Sequence, residues 1–147
     1  MLLSSDAKRR ILIVDDDDDF AAAIKTFLEL HGYEVHRAAD SRAGVIMAQA
    51  VHPHLVLMDV IMEERTAGFF AVQNLRHTPG LEQVPVFVVS SVYAAAPDFR
   101  IKPEKAWLAH DEFFSKPVDL TALLKAIAGR IGGDGVGALA PNPGIIK

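Results

Sequence analysis

The chain has 147 residues, 50% hydrophobic and 23% charged, which is typical of one globular domain and excludes a disordered chain. A formal net charge of −4 argues against nucleic acid and anionic membrane as partners, and the absence of cysteine excludes disulfides and thiolate chemistry. No apolar stretch is long enough to span a bilayer, and residues 1–10 lack the apolar core of a signal peptide, so we expect a cytoplasmic protein.

The first predicted strand and helix flank a run of aspartates. Residues 11–14 are β-branched or leucine and predict a buried strand, which is followed by Asp15 to Asp19. The later aspartates can cap a helix and complement its dipole. The apolar residues of that helix repeat at helical spacing, and Gly32 is expected to end it; they are Phe20, Ile24, Phe27 and Leu28.

A second strand and helix follow the same pattern. Residues 33–38 alternate weakly and predict a strand. Asp40 or Ser41 would cap the next helix, which would end at His52. The apolar face predicted for this helix consists of Ala43, Ile46, Met47 and Ala50.

The central apolar run, residues 55–62, contains a single carboxylate. A run of this length after Pro53 predicts a strand that is buried on both faces, with Asp59 at or near its carboxyl end. In an open parallel sheet, ligands bind outside the carboxyl ends of the strands, so Asp59 is a candidate site residue. An aspartate here can also simply cap the turn into the next helix, and the residue considered alone favours that interpretation.

The rest of the domain predicts two more strands and their helices. A loop to Gly68 precedes a helix with Val72 and Leu75 on one side, and residues 86–89 predict a fourth strand that runs into Ser90. Residues 92–111 contain two prolines that break any long helix, so only a short helix around Trp107 is predicted there.

A fifth strand and a last helix close the pattern. Residues 112–115 predict a strand that ends at Lys116, and Asp119 would cap a helix that extends to Ile131. Residues 132–147 are rich in glycine, alanine and proline and predict a flexible tail. The chain is thus divided into a leader at 1–9, one domain at 10–131 and a tail at 132–147.

Strict alternation of strands and helices predicts an α/β fold, a doubly wound five-stranded parallel sheet with right-handed crossovers. If the strand order is 2-1-3-4-5, the chain reverses direction between strands one and three, where this fold class forms its crevice. Polar residues follow four of the strands, and the second strand is expected to contribute nothing to the site. These residues are Asp15, Asp16, Asp59, Ser90 and Lys116.

Three carboxylates at one edge repel one another unless a counter-charge is present, and a hard divalent cation such as Mg²⁺ would supply it. A phosphoryl group could then be attacked in line by Asp59, while Lys116 and the Ser90 hydroxyl hold its remaining oxygens. The residues are therefore suited to phosphoryl transfer.

Residues 10–131 resemble the receiver domain of two-component response regulators. The matching features are the acidic pair after the first strand, the aspartate after Leu-Val-Leu-Met, the hydroxyl after two valines, and the lysine before Pro117. Each feature alone is weakly specific, but all of them in order make a strong signal. The resemblance implies a flavodoxin-like receiver fold of the stand-alone type.

The resemblance also implies the chemistry of the site. Asp59 would accept a phosphoryl group from a sensor histidine kinase or a histidine phosphotransfer protein. Asp16, Asp59 and the backbone carbonyl of Ile61 would bind Mg²⁺ directly, and Asp15 would bind it through water. No other cofactor is implied.

A conformational switch is implied as well, in which Lys116 contacts the phosphoryl group, Ser90 is the switch hydroxyl and Phe113 is the switch aromatic. Phosphorylation would draw the Ser90 hydroxyl inward and vacate space that Phe113 can enter. The surface of the fourth helix, fifth strand and fifth helix would change, and with it the contact with a downstream protein. No effector domain is expected after the last helix.

The chain departs from the family pattern in several loops. Glu63 stands where the family usually has proline, and the 26 positions between Ser90 and Lys116 are a few more than expected, which predicts a displaced or short fourth helix. Apolar Ile61 and Val92 offer no side chain to orient an attacking water, which predicts a long-lived acyl phosphate.

Two other functions are compatible with parts of this pattern. A pseudo-receiver, a phosphate-independent interaction module of the same fold, is favoured by the altered loops and opposed by the complete acidic, hydroxyl and lysine set. A phosphatase of the haloacid dehalogenase type also uses a strand-end aspartate, but it places a second aspartate where this chain has Ile61. We therefore expect a receiver that catalyses only its own phosphorylation and slow dephosphorylation.

Overall fold

The computed structural model describes residues 8–59, 72, 74–90 and 112–132. Most of the predicted leader and tail, and the whole of segment 92–111, lie outside these residues. The described strands are β1 (Arg10–Val14), β2 (Glu34–Ala38), β3 (Leu55–Met58), β4 (Val86–Ser90) and β5 (Glu112–Ser115). The helices are α1 (Asp18–Leu30), α2 (Ser41–Val51) and α3 (Leu120–Ile131), and residues 72 and 74–76 are also helical.

The five strands form one parallel sheet in the order β2-β1-β3-β4-β5, which confirms the predicted topology. Val14, the last residue of β1, is in register with Ala38 of β2 and with Met58 of β3. The three strands therefore end at the same level. The hydrogen bonding between the strands extends one residue beyond β1 and β3. Asp15, which follows β1, donates its N–H to Ala38 O at 3.1 Å, and Asp59, which follows β3, donates its N–H to Val14 O at 2.9 Å.

The core lies on both faces of the sheet because successive strand residues point to opposite sides. One cluster, on the α2 side, joins Leu12, Val14 and Val56 to Ala48 and to Leu75. The other cluster, on the side of α1 and α3, contains Ile11, Ile13, Leu57, Ile24, Leu28, Leu123, Leu124 and Ile127. Within the described residues, no helix has the length and apolar character that crossing a membrane requires.

An aspartate is the N-cap of each of the helices α1, α2 and α3. Asp17, Asp40 and Asp119 each accept a hydrogen bond from the backbone N–H three residues later, which satisfies one of the free donors of the first turn. Asp40, rather than Ser41, is therefore the cap of α2. At the far end of α1, Gly32 lies just after the C-cap and has a φ of 92°, a conformation that favours glycine.

The predicted apolar face of α2 is partly wrong. Ala43 and Met47 are half-buried, but Ile46 is 57% exposed and Ala50 is exposed, whereas Gly44 and Ala48 are buried. A Cβ added at Gly44 would lie 2.8 and 2.9 Å from the two Cγ atoms of Val14. The helix thus approaches β1 so closely that small residues form the interface, while the periodicity of large apolar residues indicates a different face.

The end of α3 is hydrogen-bonded to the residue that precedes β2. The buried Tyr33 donates its phenolic O–H to the carbonyl of Gly132 at 2.8 Å, and Gly132 is the C-cap of α3. These residues are 99 positions apart in the chain. The hydrogen bond satisfies a carbonyl at the end of α3 and links that helix to the residue before β2.

A second contact joins β1 to β3 through a histidine. Arg10 N–H donates to Nδ1 of His54 at 2.8 Å, and His54 N–H donates back to Arg10 O at 2.8 Å. The Arg10 side chain also donates to the carbonyls of Val51 and His52 at the end of α2. Because a backbone N–H can only donate, Nδ1 of His54 carries no proton, and the ring is neutral in this contact.

Replacing His54 with glutamine is expected to make stability less dependent on pH. Burial and the charges of Arg10 and Arg9 lower the pKa of His54, while Glu34 raises it less. The neutral ring's contribution to the free energy of unfolding is therefore complete above the unfolded pKa and lost as the pH falls through the folded pKa. The urea midpoint of the native protein should fall more steeply than that of His54→Gln between about pH 7 and about pH 5.5.

The matched control for this prediction is His52→Gln, because His52 is exposed. This variant should keep the native pH dependence. Equal slopes for the native protein and for His54→Gln would show that His54 does not contribute.

Candidate functional site

Three predicted carboxylates lie together at the carboxyl edge of the sheet. Asp15 is 2% exposed and Asp59 is 4% exposed, whereas Asp16 is open to solvent. One carboxylate oxygen from each of the three lies within 4.8 Å of the others. The register of β1 and β3 produces the convergence, since Asp15 and Asp59 follow Val14 and Met58, which are partners across the two strands.

Lys116 reaches these carboxylates from the end of β5. Its Nζ lies 2.9 Å from Oδ2 of Asp15 and 3.3 Å from Oδ2 of Asp59. Burial by itself would lower the pKa of Lys116, but the hydrogen bond to Asp15 and the charges of both aspartates together raise it. The ammonium group is therefore charged at neutral pH and partly neutralises the two buried carboxylates.

The ring of Phe20, in the first turn of α1, also contacts Lys116. Nζ lies 4.2 Å from the ring centroid, within the range of a cation–π interaction. The sequence pattern places Phe20 only on the apolar face of a helix, and it does not indicate this contact. The ring therefore adds a third neighbour of the ammonium group beside the two carboxylates.

The second strand, which was expected to contribute nothing to the site, supplies none of the three carboxylates but contacts the chain segment that carries two of them. Arg37 of β2 donates from Nε and Nη2 to the backbone carbonyl of Asp15, at 3.1 and 2.7 Å. Its Nη1 also forms an ion pair with Asp18 at 2.8 Å. An arginine one residue before the end of a strand, beside a chain segment with five aspartates, is a sequence signal that could have indicated this contact.

The segment between β1 and α1 is further held by its own hydrogen bonds. Asp17 N–H donates to Oδ1 of Asp15 at 2.9 Å, and the Asp17 carboxylate in turn accepts from Phe20 N–H at 3.0 Å. The Asp15 carboxylate thus has one oxygen on a backbone donor and the other on Lys116. Of the aspartate run, Asp17 is the helix cap and Asp18 is the partner of Arg37.

The remaining predicted site residues are only partly placed. Ser90 is the last residue of β4, in register with Ser115 of β5, and its side chain lies outside the described residues. Phe113 of β5 is half-buried and packs against the cluster on the α2 side of the sheet. Ile61 lies outside the described residues, so its predicted role as a carbonyl ligand stays a prediction.

The donor set fits a hard divalent cation. Three carboxylates, two buried and one exposed, offer oxygen atoms close to one another. Mg²⁺ prefers oxygen ligands, retains several waters and is commonly bound through a few carboxylates.

An open parallel α/β sheet with an acidic cluster and a lysine at its topological switch point defines a doubly wound protein with a candidate site for a metal and a phosphoryl group. The family model described as the response regulator receiver domain matches residues 11–128, and the chain belongs to this family. Receiver domains are signalling modules of two-component systems. The predicted family and fold class are thus confirmed.

Individual relatives agree with this assignment. Protein PilH of Pseudomonas aeruginosa is 32% identical over 107 residues, which cover 71% of this chain and 82% of PilH. Chemotaxis protein CheY4 of Vibrio cholerae has a similar structure, with a TM-score of 0.71, 25% identity, and coverage of 84% of this chain and 99% of CheY4.

The receiver domain of sensor histidine kinase PA1611 from Pseudomonas aeruginosa, solved with a magnesium ion coordinated in its active site cleft, gives a TM-score of 0.74. It is 21% identical, and the alignment covers 86% of this chain and all of that domain (100%). At this identity the similarity shows the fold alone.

Proposed function

We propose that the protein is a phosphate-accepting receiver, in which Asp59 takes a phosphoryl group from a sensor histidine kinase or a histidine phosphotransfer protein. The contact of one ammonium group with carboxylates from two different strands carries this proposal, because Lys116 Nζ lies within 3.3 Å of both Asp15 and Asp59. The site is thus built to balance charge around Asp59. A structural cap would not need a half-buried lysine partner.

The reaction would use the Asp59 carboxylate as a nucleophile. One of its oxygens attacks phosphorus in line, the new O–P bond forms, and the P–N bond of a phosphohistidine donor breaks with its electron pair on the imidazole nitrogen. Lys116 then contacts the phosphoryl oxygens, since its Nζ already lies 3.3 Å from Oδ2 of the attacking carboxylate. The ring of Phe20, 4.2 Å from Nζ, would help to hold the ammonium group in place.

Asp15, Asp16 and Asp59 would hold Mg²⁺, with the Ile61 carbonyl as a further ligand expected from the family. The ion supplies positive charge that stabilises a phosphoryl group in the transition state. Two of these aspartates already have fixed neighbours, because Asp15 accepts from Asp17 N–H and both contact Lys116. The carboxylates of Asp15 and Asp59 are therefore largely positioned by the protein itself.

The output would be a change of surface that a downstream protein recognises. Ser90 would provide the switch hydroxyl and Phe113 the switch aromatic, which is half-buried on the α2 side. Val88 of β4 is in register with Phe113 of β5. Phe113 therefore lies on the strand next to the one that ends at Ser90. We place this signalling in the cytoplasm and assign the chain no catalysis beyond its own phosphorylation and slow dephosphorylation.

The proposal is tested by intact-mass spectrometry of the purified protein after incubation with acetyl phosphate, with and without Mg²⁺. The expected result is a gain of one phosphoryl group that needs Mg²⁺ and is removed by hydroxylamine, which cleaves acyl phosphates. Thermal denaturation with beryllofluoride and Mg²⁺ gives an independent readout, and the melting temperature should rise because a ligand that binds the folded state stabilises it.

Two results would contradict the proposal. A gain of mass that resists hydroxylamine would place the phosphoryl group on a hydroxyl instead of a carboxylate. The absence of labelling together with no stabilisation by beryllofluoride would favour the pseudo-receiver, in which the same fold acts without phosphate.

A further inference from the structure

We infer that Arg37 is a positioning residue for the metal site, acting through the backbone of the Asp15–Asp16 segment. The inference rests on the proposed function, because it concerns the affinity of the acidic cluster for Mg²⁺. It assigns a role to β2, the edge strand that supplies no ligand to the cluster.

The first step is the hydrogen bonding of Asp15. Its backbone N–H donates to Ala38 O at 3.1 Å, and its carbonyl accepts two hydrogen bonds from Arg37, at 3.1 and 2.7 Å. Both peptide groups of Asp15 are thereby fixed by adjacent residues of β2. The carbonyl belongs to the peptide that leads into Asp16, so Arg37 fixes the orientation of the chain where the exposed ligand begins.

The second step is the link to α1. The third nitrogen of the same guanidinium, Nη1, lies 2.8 Å from Oδ1 of Asp18, in the first turn of that helix. The planar group therefore spans the two ends of the segment that carries Asp16 and Asp17. The Arg37 side chain is 24% exposed, which limits the competition from water, whereas Asp18 is 85% exposed and contributes less.

The third step separates positioning from charge. A guanidinium near an acidic cluster repels a cation, so removing its charge alone would strengthen Mg²⁺ binding. Loss of the support for the Asp15–Asp16 segment would instead weaken binding, as happens when groups that orient metal ligands are removed. The two effects have opposite signs, so the direction of the change identifies the one that dominates.

The experiment measures Mg²⁺ affinity by isothermal titration calorimetry for the native protein, Arg37→Met and Arg37→Lys. The Mg²⁺ concentration for half-maximal labelling by acetyl phosphate is measured in parallel. We expect Arg37→Met to weaken Mg²⁺ binding about ten-fold, and to raise the half-maximal Mg²⁺ concentration about as much. The labelling rate at saturating Mg²⁺ should stay within about two-fold of the native rate, because none of the groups that contact phosphate is altered.

Arg42→Met is the matched control for charge. Arg42 is exposed in the first turn of α2, which follows β2 at the same edge of the sheet. Its replacement removes the same charge, and Mg²⁺ binding should be unchanged or slightly tighter. Arg37→Lys keeps the charge but replaces the planar guanidinium group with an ammonium group. Its affinity for Mg²⁺ should therefore fall between those of the native protein and Arg37→Met.

Native or tighter Mg²⁺ binding by Arg37→Met would overturn the inference, and so would a lower rate at saturating Mg²⁺ with an unchanged half-maximal concentration. If Arg37→Met does not fold, native affinity of Arg37→Lys would overturn it equally. The native protein in the same titration distinguishes failure of the proposed function from failure of the inference about Arg37. If it neither binds Mg²⁺ nor is labelled, the proposed function fails; if it does both and Arg37→Met equals it, only the inference fails.

Discussion

Replacing Asp59 with asparagine is expected to abolish Mg²⁺-dependent labelling by acetyl phosphate while raising the melting temperature of the metal-free protein. Labelling is lost because an amide oxygen is a poor nucleophile and cannot form the acyl phosphate. Stability rises because Lys116 contacts two buried carboxylates, and the substitution leaves one ammonium group facing one of them, Asp15. Intact-mass spectrometry measures the first effect and thermal denaturation without Mg²⁺ the second.

Asp19→Asn is the matched control for the loss of one negative charge. Asp19 is exposed in the first turn of α1 and belongs to the same run of aspartates. This variant should be labelled like the native protein. Labelling of Asp59→Asn at the native level would place the acceptor at another residue. A lower melting temperature would mean that the contact of Asp59 with Lys116 stabilises the fold more than its repulsion with Asp15 destabilises it.

Gly44→Ala is expected to destabilise the protein by about 1–3 kcal/mol, even though alanine favours helices by about 1 kcal/mol over glycine. The added Cβ would lie 2.8 and 2.9 Å from the Cγ atoms of Val14. Val14 is fully buried and β-branched, so its side chain has no other rotamer into which it can easily retreat. The helix must therefore move away from β1, and urea denaturation measures the cost.

Gly129→Ala is the control that isolates helix propensity. Gly129 lies in α3, is exposed, and a Cβ added there meets nothing within 4 Å among the described atoms. This variant should be more stable by about 0.5–1 kcal/mol. The two substitutions are chemically identical, so a shift of the same sign and size for both would show that the Val14 contact does not limit the approach of α2.

The fold was predictable from the sequence because three of the strands, β1, β3 and β4, are short and mostly apolar runs, and because helices alternate with the strands. Such runs identify strands that are buried on both faces, and the alternation with helices leaves few topologies. The face of α2 was not predictable. Periodicity weights large apolar residues such as Ile46, whereas the interface is formed by Gly44 and Ala48, which are small enough for close approach to β1.

The candidate site was predictable to the extent that it depends on strand ends. Asp15, Asp59 and Lys116 each follow a strand, and parallel strands end at one edge, so their convergence follows from topology. The contacts of Arg37 and Phe20 depend on side-chain reach and on the register of neighbouring elements, which the sequence does not specify. The roles of Ser90, Phe113 and Ile61 stay predictions that rest on the family.

The hydrogen bond between Tyr33 and Gly132 sets a limit on when this protein can fold during its own synthesis. The two residues are 99 positions apart, and a ribosome that adds about 5–20 residues per second needs roughly 5–20 s to make the intervening chain. For most of that interval β1 has been made, but α3, which shares a core cluster with it, has not. Chain elongation, more than local stability, therefore determines the earliest moment at which the nascent protein can bury its first strand completely.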